Sequence, residues 1–321
     1  MSGIGVIGAG AFGTALAIAQ ARAGRAVTLW GRDRVAMEAA ARIRKLPRLP
    51  DVILPDEIAI SFDLETVFEH DILLLAIPAQ QLRGFVRAHA DALRGKALVT
   101  CCKGIDLETG IGPVQTVERV LPEAQVAILT GPSFAGDVAQ GLPTALTLAC
   151  RDGEALKWLQ DALSTPYLRL YRTEDVIGAE LGGALKNVIA IACGACIGAG
   201  FGESARASLM TRGFAEMNRL AAHLGAERDT LSGLSGLGDL ALTCMSAQSR
   251  NFRLGHAIGS GEGFDPSVTV EGAATAKAVS NLGKKEGLDL PITSAVARLV
   301  QGEIDVSNAL RELLARPLKE E

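Results

Sequence analysis

Of the 22 residues from Leu181 to Gly202, Lys186 is the one that carries a charge, and it lies within the run Leu181-Gly182-Gly183-Ala184-Leu185-Lys186-Asn187-Val188-Ile189-Ala190-Ile191-Ala192. An ammonium in such surroundings is costly. Burial favours the neutral amine and draws a lysine pKa down towards the range in which it exchanges protons near neutrality. The same run also fits a lysine at a helix edge whose ammonium reaches out to water. His70, His89, His223 and His256 all fall outside the motifs described below. If the protein moves a proton, Lys186 is the first candidate.

A second constellation is Gly8-Ala9-Gly10-Ala11-Phe12-Gly13, a G-x-G-x-x-G that follows an apolar strand and opens onto Thr14-Ala15-Leu16-Ala17-Ile18-Ala19, a strong helix. In that context the three glycines have distinct roles. Gly8 permits the tight turn, Gly10 lets a pyrophosphate approach the backbone, and Gly13 lets helix and strand pack closely, with the helix N-terminus favouring the anion. The implied ligand is a dinucleotide, NAD or NADP. At the end of the next strand an acidic side chain would hold the ribose of NAD and an arginine would accept the 2′-phosphate of NADP. The chain reads Trp30-Gly31-Arg32-Asp33 there, which leans to NADP through Arg32 and leaves NAD open through Asp33.

Three further strand ends carry polar or tight-turn residues: Pro78-Ala79-Gln80-Gln81, Lys103-Gly104 and Gly131-Pro132-Ser133-Phe134-Ala135. Ligands of open α/β sheets lie outside the carboxyl ends of the strands, so these loops are expected to share a crevice with the glycine turn. Later in the chain come Gly236-Leu237-Gly238-Asp239 and Ser249-Arg250-Asn251. The second offers a hydroxyl, a guanidinium and an amide at a helix start, a set that suits phosphate and equally suits a helix cap.

The elements that must position these residues fall into two halves. Strands are expected at 3–7, 26–30, 71–77, 97–101, 126–130 and 144–150, with helical stretches between most of them. This is the pattern of an α/β, doubly wound, Rossmann-type parallel sheet. The segment holding Pro47, Pro50 and Pro55 reads as a surface excursion. Beyond Tyr171 the strand signal stops, and helices are expected over 174–197, 204–224, 250–258, 270–286, 292–301 and 306–314. The reading is therefore a dinucleotide-binding domain over 1–173 and an all-α substrate domain over 174–321. A chain of 321 residues is long enough for both cores.

Composition narrows the function. With 32 Lys+Arg against 36 Asp+Glu and no basic block, nucleic acid is a poor partner. Met1-Ser2 leads directly into the first strand without a signal-like segment, so a cytoplasmic protein is expected. The apolar stretch from Val188 to Gly202 is short and glycine-rich, and reads as a buried helix rather than a membrane insertion. Cys193 and Cys196 have C-x-x-C spacing, but Cys101, Cys102, Cys150 and Cys244 are scattered and supply no second ligand pair. The six are read as free, largely buried thiols, with no metal.

Taken in order, Gly8 to Ala17, Lys103-Gly104, Gly131 to Ala135, Glu180 to Asn187, Thr211-Arg212-Gly213, Gly236 to Leu240, Ser249-Arg250-Asn251 and Val270-Glu271-Gly272 resemble the motifs of bacterial-type NAD(P)-dependent glycerol-3-phosphate dehydrogenases. The resemblance runs from about residue 3 to 300. It implies reversible hydride transfer between nicotinamide and C2 of dihydroxyacetone phosphate, a phosphorylated triose, giving sn-glycerol 3-phosphate for phospholipid synthesis. It also implies Lys186 as catalytic acid and base. Lys103, Gly131, Ser133, Lys186, Asp239, Ser249, Arg250 and Asn251 would bind substrate. Ala11, Phe12, Arg32, Lys103, Ala135, Arg250 and Glu271 would join the glycine turn around the cofactor, and the assembly would be a homodimer. Two segments depart from the pattern: Gly202-Glu203-Ser204 stands where many members have Gly-Asp-Asn, and Arg44 to Pro55 lacks the Asn- and Tyr-containing adenosine-side loop. Two rival readings are a dehydrogenase of the 6-phosphogluconate or β-hydroxyacid type and, in another class, a nonenzymatic NAD(P)-binding sensor. The sensor leaves Lys186 unexplained.

Overall fold

The computed structural model describes residues 3–266 and 268–317. They separate into two compact units, one within Met1–Asp106 and Ile111–Glu180, the other within Leu107–Gly110 and Leu181–Glu321.

The first unit is built on one eight-stranded sheet: β1 (Ile4–Ile7), β2 (Val27–Trp30), β3 (Ile58–Ser61), β4 (Ile72–Leu75), β5 (Ala97–Thr100), β6 (Gln125–Thr130), β7 (Thr144–Ala149) and β8 (Leu168–Thr173). Their spatial order is β3-β2-β1-β4-β5-β6-β7-β8. The helices are α1 (Ala11–Arg22), α2 (Arg34–Ile43), α3 (Glu65–Phe68), α4 (Ala79–Ala88), α5 (Ala90–Leu93), α6 (Pro113–Glu118), α7 (Ala135–Gln140) and α8 (Gly153–Leu163). Central strands such as β4, Ile-Leu-Leu-Leu, are apolar at every position because both faces of the sheet are covered. Successive side chains point to opposite faces. Ile72 and Leu74 therefore enter one core with Leu16, Ile18 and Leu29, while Leu73 and Leu75 enter the other with Leu82, Val86 and Val114.

The doubly wound sheet agrees with the sequence, with three differences. β3 and β8 were not expected. Both are edge strands: β8 buries Leu168 and Leu170 and exposes Arg169 and Tyr171. Such half-buried alternation with charges interleaved gives a weaker signal than a continuous apolar run. The sheet is also not parallel throughout, since β7 runs antiparallel to β6 and β8 runs parallel to β7. The link from β6 to β7 holds only the six-residue α7 and a left-handed turn at Gly141 (φ 76°). Finally, the proline-rich excursion is not wholly a surface feature, because Leu46, Leu49 and Leu54 are buried in the core.

In the second unit described residues form helices only: most of α9 (Val176–Gly198), then α10 (Glu203–His223), α11 (Arg228–Ser232), a π-helical turn (Leu234–Gly238), α12 (Asp239–Cys244), α13 (Arg250–Ser260), α14 (Glu271–Glu286), α15 (Pro291–Val300) and α16 (Val306–Leu314). α9 is long and apolar enough to span a membrane, but it is the core helix of this protein, with 89% of its apolar window buried. It lies against α13 backbone to backbone. A Cβ added at Gly194 would stand 2.0 Å from the carbonyl oxygen of Phe252, one at Gly198 2.2 Å from that of His256, one at Gly255 2.0 Å from that of Ile191, and one at Gly259 2.2 Å from that of Ala195. Two Gly-x-x-x-Gly faces thus let α9 and α13 run parallel at a separation that no side chain permits.

Candidate active site

β1 is flanked by β2 on one side and β4 on the other, so the strand order reverses beside it. Such a reversal opens a crevice at the carboxyl ends of the strands. The glycine turn sits there. Gly8 has φ 118°, its N–H donates to the Trp30 carbonyl at 2.8 Å, and a Cβ on it would lie 2.4 Å from the Ala76 oxygen. At Gly13 a Cβ would lie 2.1 Å from the Gly8 oxygen, whereas at Gly10 it would meet nothing within 4 Å. The outer glycines are required by packing and the middle one faces open space. Gly10 N-caps α1, and no side chain caps that helix. The N–H groups around Ala11 and Phe12 are thus available to an anion, and this cradle fits a pyrophosphate.

Beyond β2, Gly31 has no room for a side chain: a Cβ would stand 2.7 Å from that of Ala9 and 2.8 Å from Met37 Sδ. Asp33 is the N-cap of α2, accepting from Ala36 N at 3.0 Å. The acidic alternative is thereby engaged in capping, while Arg32 is exposed, with Nη1 3.3 Å from Gln81 Oε1 in the first turn of α4.

The parallel registers Ile7↔Leu75, Leu75↔Thr100 and Thr100↔Ile128 set the ends of β1, β4, β5 and β6 side by side. At about 4.8 Å per strand the row is about 14 Å wide. Lys103, past β5, donates from Nζ to the Gly131 carbonyl at 3.0 Å, and Ser133 Oγ donates to the same oxygen at 3.3 Å. Gly131 needs its φ of 135°, and Ala135 opens α7. Lys103, Gly131, Ser133 and Ala135 are thus one local group.

In the second unit Lys186 is 7% exposed and Asp239 1%. Lys186 Nζ donates to Asp239 Oδ1 at 3.0 Å and to Thr243 Oγ1 at 2.7 Å. Sequence reading treated Lys186 as a charge among apolar residues. The structure gives it a carboxylate, which favours the ammonium against the effect of burial. Asp239 is delivered by the π turn, an irregularity that recurs at functional positions. Gly236 within it is compulsory: a Cβ there would stand 2.0 Å from the Leu231 oxygen, and one at the facing Gly182 of α9 2.4 Å from the Ser235 oxygen.

Ser249-Arg250-Asn251 stands at the start of α13, and the cap is one of the two readings its sequence allows. Ser249 Oγ accepts from Phe252 N at 3.2 Å and caps α13. Asn251 donates from Nδ2 to Asn187 Oδ1 at 2.8 Å and accepts from Gly272 N at 2.9 Å, tying α13 to α9 and to the start of α14 beside Glu271. Of the triplet only Arg250 presents its side chain to solvent. Thr243 and Asn187 escaped the sequence reading. The four-residue step from Asp239 to Thr243, which places both on one helical face, was the available signal for the first.

The six cysteines are free and buried. Burial pushes the Cys101 thiol up to about 12 and the Cys244 thiol well above its usual value, the latter also through neighbouring Cys193. Among the described residues no group of three or more His, Cys, Asp or Glu side chains could hold a metal.

The family profile for the N-terminus of NAD-dependent glycerol-3-phosphate dehydrogenase matches residues 3–156, and the profile for its C-terminus matches residues 175–311. Glycerol-3-phosphate dehydrogenase [NAD(P)+] of Ruegeria sp. (strain TM1040) is 57% identical over 319 residues, covering 99% of both chains. The protein of the same name from Cereibacter sphaeroides is 56% identical over 99% of this chain and 100% of its own. A crystal structure of glycerol-3-phosphate dehydrogenase from Coxiella burnetii superposes with a TM-score of 0.92 at 34% identity, covering 98% of this chain and 99% of that one.

Proposed function

The chain belongs to the family of NAD-dependent glycerol-3-phosphate dehydrogenases, and we propose that Lys186 is the acid and base of its reaction. The protein is an NAD(P)-dependent oxidoreductase that interconverts dihydroxyacetone phosphate and sn-glycerol 3-phosphate, the backbone for phospholipid synthesis. When bound, the nicotinamide supplies or accepts the hydride at C2 of the substrate. As an ammonium, Lys186 donates a hydrogen bond to the C2 oxygen and gives up its proton as negative charge gathers there; as an amine it takes the proton back from the C2 hydroxyl. Asp239 and Thr243 orient Nζ and favour its protonated form. Gly8, Gly10, Ala11, Phe12 and Gly13 hold the pyrophosphate, Arg32 meets the adenosine ribose, and Ala135, Glu271, Lys103 and Arg250 complete the cofactor's surroundings. Lys103, Gly131, Ser133, Asp239, Ser249, Arg250 and Asn251 serve the substrate, with Arg250 as the guanidinium that grips its phosphate. Residues 1–173 form the cofactor domain in this reading and 174–321 the substrate domain. Six free thiols favour the reducing cytoplasm, and family resemblance favours a homodimer, which light scattering on the purified protein tests.

The observation that carries the reading is the buried Lys186 ammonium held by Asp239 and Thr243. The test is oxidation of NADH and of NADPH by dihydroxyacetone phosphate in wild type and in Lys186→Met, which keeps the length of the side chain and removes its proton. Turnover is expected to vanish in the variant while both cofactors still bind. Retention of more than a few per cent of activity would assign the proton to another group.

A further inference from the structure

Glu180 is a buried carboxyl that the reaction leaves without a role. It sits in the second turn of α9, and its Oε1 accepts from Val114 N at 2.6 Å, at the start of α6. Gly112, the N-cap of α6, is pressed against the same carboxyl: a Cβ there would stand 2.3 Å from Oε2. These contacts fix the exit of the loop between β5 and α6. The preceding residue, Ile111, accepts from Asp106 N at 2.9 Å and closes the loop's neck. On the entry side Gln80 Nε2 donates to the Ile105 carbonyl at 2.8 Å, and Arg83 Nε lies 3.5 Å from Asp106 Oδ2. Two residues before Ile105 stands Lys103.

We propose that Glu180 is a positioning residue: by anchoring the start of α6 it sets the neck of the loop that carries Lys103, and through Lys103 the affinity for the substrate phosphate. The last step rests on the assignment of Lys103 to substrate made above. A glutamine would fill the same space and accept the same hydrogen bond without placing a charge in the interior. What glutamate adds is a proton that can leave. Burial lifts its carboxyl to about 7, with the Val114 N–H bond and Arg151 acting against that rise and Glu118 with it. Arg151, at the turn after β7, and Glu118, on α6, are the charged groups that face it, and they pair with each other, Arg151 Nη1 reaching Glu118 Oε2 at 2.6 Å. Ionisation makes the bond from Val114 charge-assisted, roughly twice as strong as its neutral counterpart. Burial outweighs this gain, so ionisation favours arrangements in which the carboxyl reaches water, and the neck is held less firmly above neutrality than below it.

The experiment measures KM and kcat for dihydroxyacetone phosphate from pH 6 to pH 8.5 in wild type, Glu180→Gln and Gly112→Ala. Amide hydrogen exchange across residues 103–114, corrected for intrinsic rates, is followed at the same pH values. The substrate phosphate titrates in part of this range, but equally for all three proteins. In wild type the KM is expected to rise with pH relative to that of Glu180→Gln, by up to about tenfold between pH 6 and pH 8.5, the shift towards opening that a carboxyl lifted from 4.5 to about 7 brings, with kcat within about twofold. Exchange across the loop, so corrected, should quicken with pH in wild type and stay level in the glutamine variant. Gly112→Ala, which keeps the carboxyl but displaces it from Val114 N, should raise KM at every pH. Identical pH profiles in wild type and Glu180→Gln would overturn the proposal, as would a loss confined to kcat or to folding. If Lys103→Ala leaves KM unchanged, the phosphate assignment fails and the link to affinity falls with it, while the exchange data still decide whether Glu180 holds the loop.

Discussion

Two arginines, Arg32 and Arg250, are exposed at positions where phosphate recognition is expected, and each stands beside residues whose polar groups have structural work. Asp33 caps α2 and Gly31 is squeezed between Ala9 and Met37, so the end of β2 presents Arg32 and no carboxylate of its own to a ribose. Arg32→Ala should raise the KM for NADPH by at least about tenfold, the value of one charge-assisted bond, and that for NADH much less. Equal effects on both would show that another group reads the 2′-phosphate. At Ser249-Arg250-Asn251 the hydroxyl caps α13 and the amide bridges Asn187 to Gly272, and the guanidinium is the group of the three proposed to grip the phosphate. Wild type should prefer dihydroxyacetone phosphate over unphosphorylated dihydroxyacetone by several orders of magnitude in kcat/KM, and Arg250→Ala should collapse that preference by making the better substrate poor. If both substrates slow by one factor, Arg250 acts on the cofactor or the fold. Neither division of labour could be read from the sequence, because a cap and a ligand-binding residue use the same side chains.

At the scale of elements, the glycines of α9 mean something different in the folded chain from what they mean in the sequence. Gly194, Gly198, Gly200 and Gly202 spoke against a membrane span, but their spacing could not name a partner. The structure supplies one for Gly194 and Gly198, which meet the Phe252 and His256 carbonyls of α13, while Gly200 and Gly202 lie past the end of α9 and a Cβ there would meet nothing within 4 Å. Since α9 carries Lys186 and α13 begins with Arg250, the close seam fixes the spacing of these two residues within the helical unit. Gly255→Ala would drive a Cβ to 2.0 Å from the Ile191 carbonyl oxygen, a backbone atom that cannot rotate away. The helices must part, and overpacking of this kind costs about 1–3 kcal/mol. Urea denaturation should show that loss, and the surviving folded enzyme should have a raised KM for dihydroxyacetone phosphate. Full stability with unchanged KM would mean that the seam tolerates separation. Strands sort by the same logic of context. The continuous apolar runs of β1, β4 and β5 were legible because burial on both faces leaves one reading, whereas β3 and β8 lie at the edges, where one face is wet and the pattern dilutes.

For the molecule as a whole, legibility fades with distance along the chain. The glycine turn is local and could be read whole. Lys186 could be found, but its partners Asp239 and Thr243 lie 53 and 57 residues away, and Asn251 meets Asn187 across 64. Folding brings these together, and no periodicity encodes them. Two buried glutamates share this property and have a common design. Glu180 accepts from Val114 N behind Pro113 of α6, and Glu216 accepts from Ile292 N at 2.6 Å and Thr293 N at 3.1 Å behind Pro291 of α15. Proline at the first helical position leaves the next N–H groups to be satisfied, and each carboxyl does so from another helix. Burial raises both, Glu180 from 4.5 to about 7. A raised carboxyl keeps its proton in the folded chain over a range in which the unfolded chain has released it. The stability it lends is whole below 4.5, declines as pH climbs, and is gone above about 7. At about 1.4 kcal/mol for each pH step, Glu180 contributes a decline of about 3 kcal/mol. His70, whose pKa burial draws down, gains stability with pH over part of the same window, so the informative quantity is a difference between proteins. Urea denaturation of wild type and of Glu180→Gln/Glu216→Gln at pH 5, 6, 7 and 8 should give curves that converge or cross as pH rises, with the wild type losing stability relative to the variant up to about pH 7 and levelling off beyond. Parallel curves would mean that these carboxyls ionise alike in the folded and unfolded chains, and that the helix N-termini compensate in full for the loss of water.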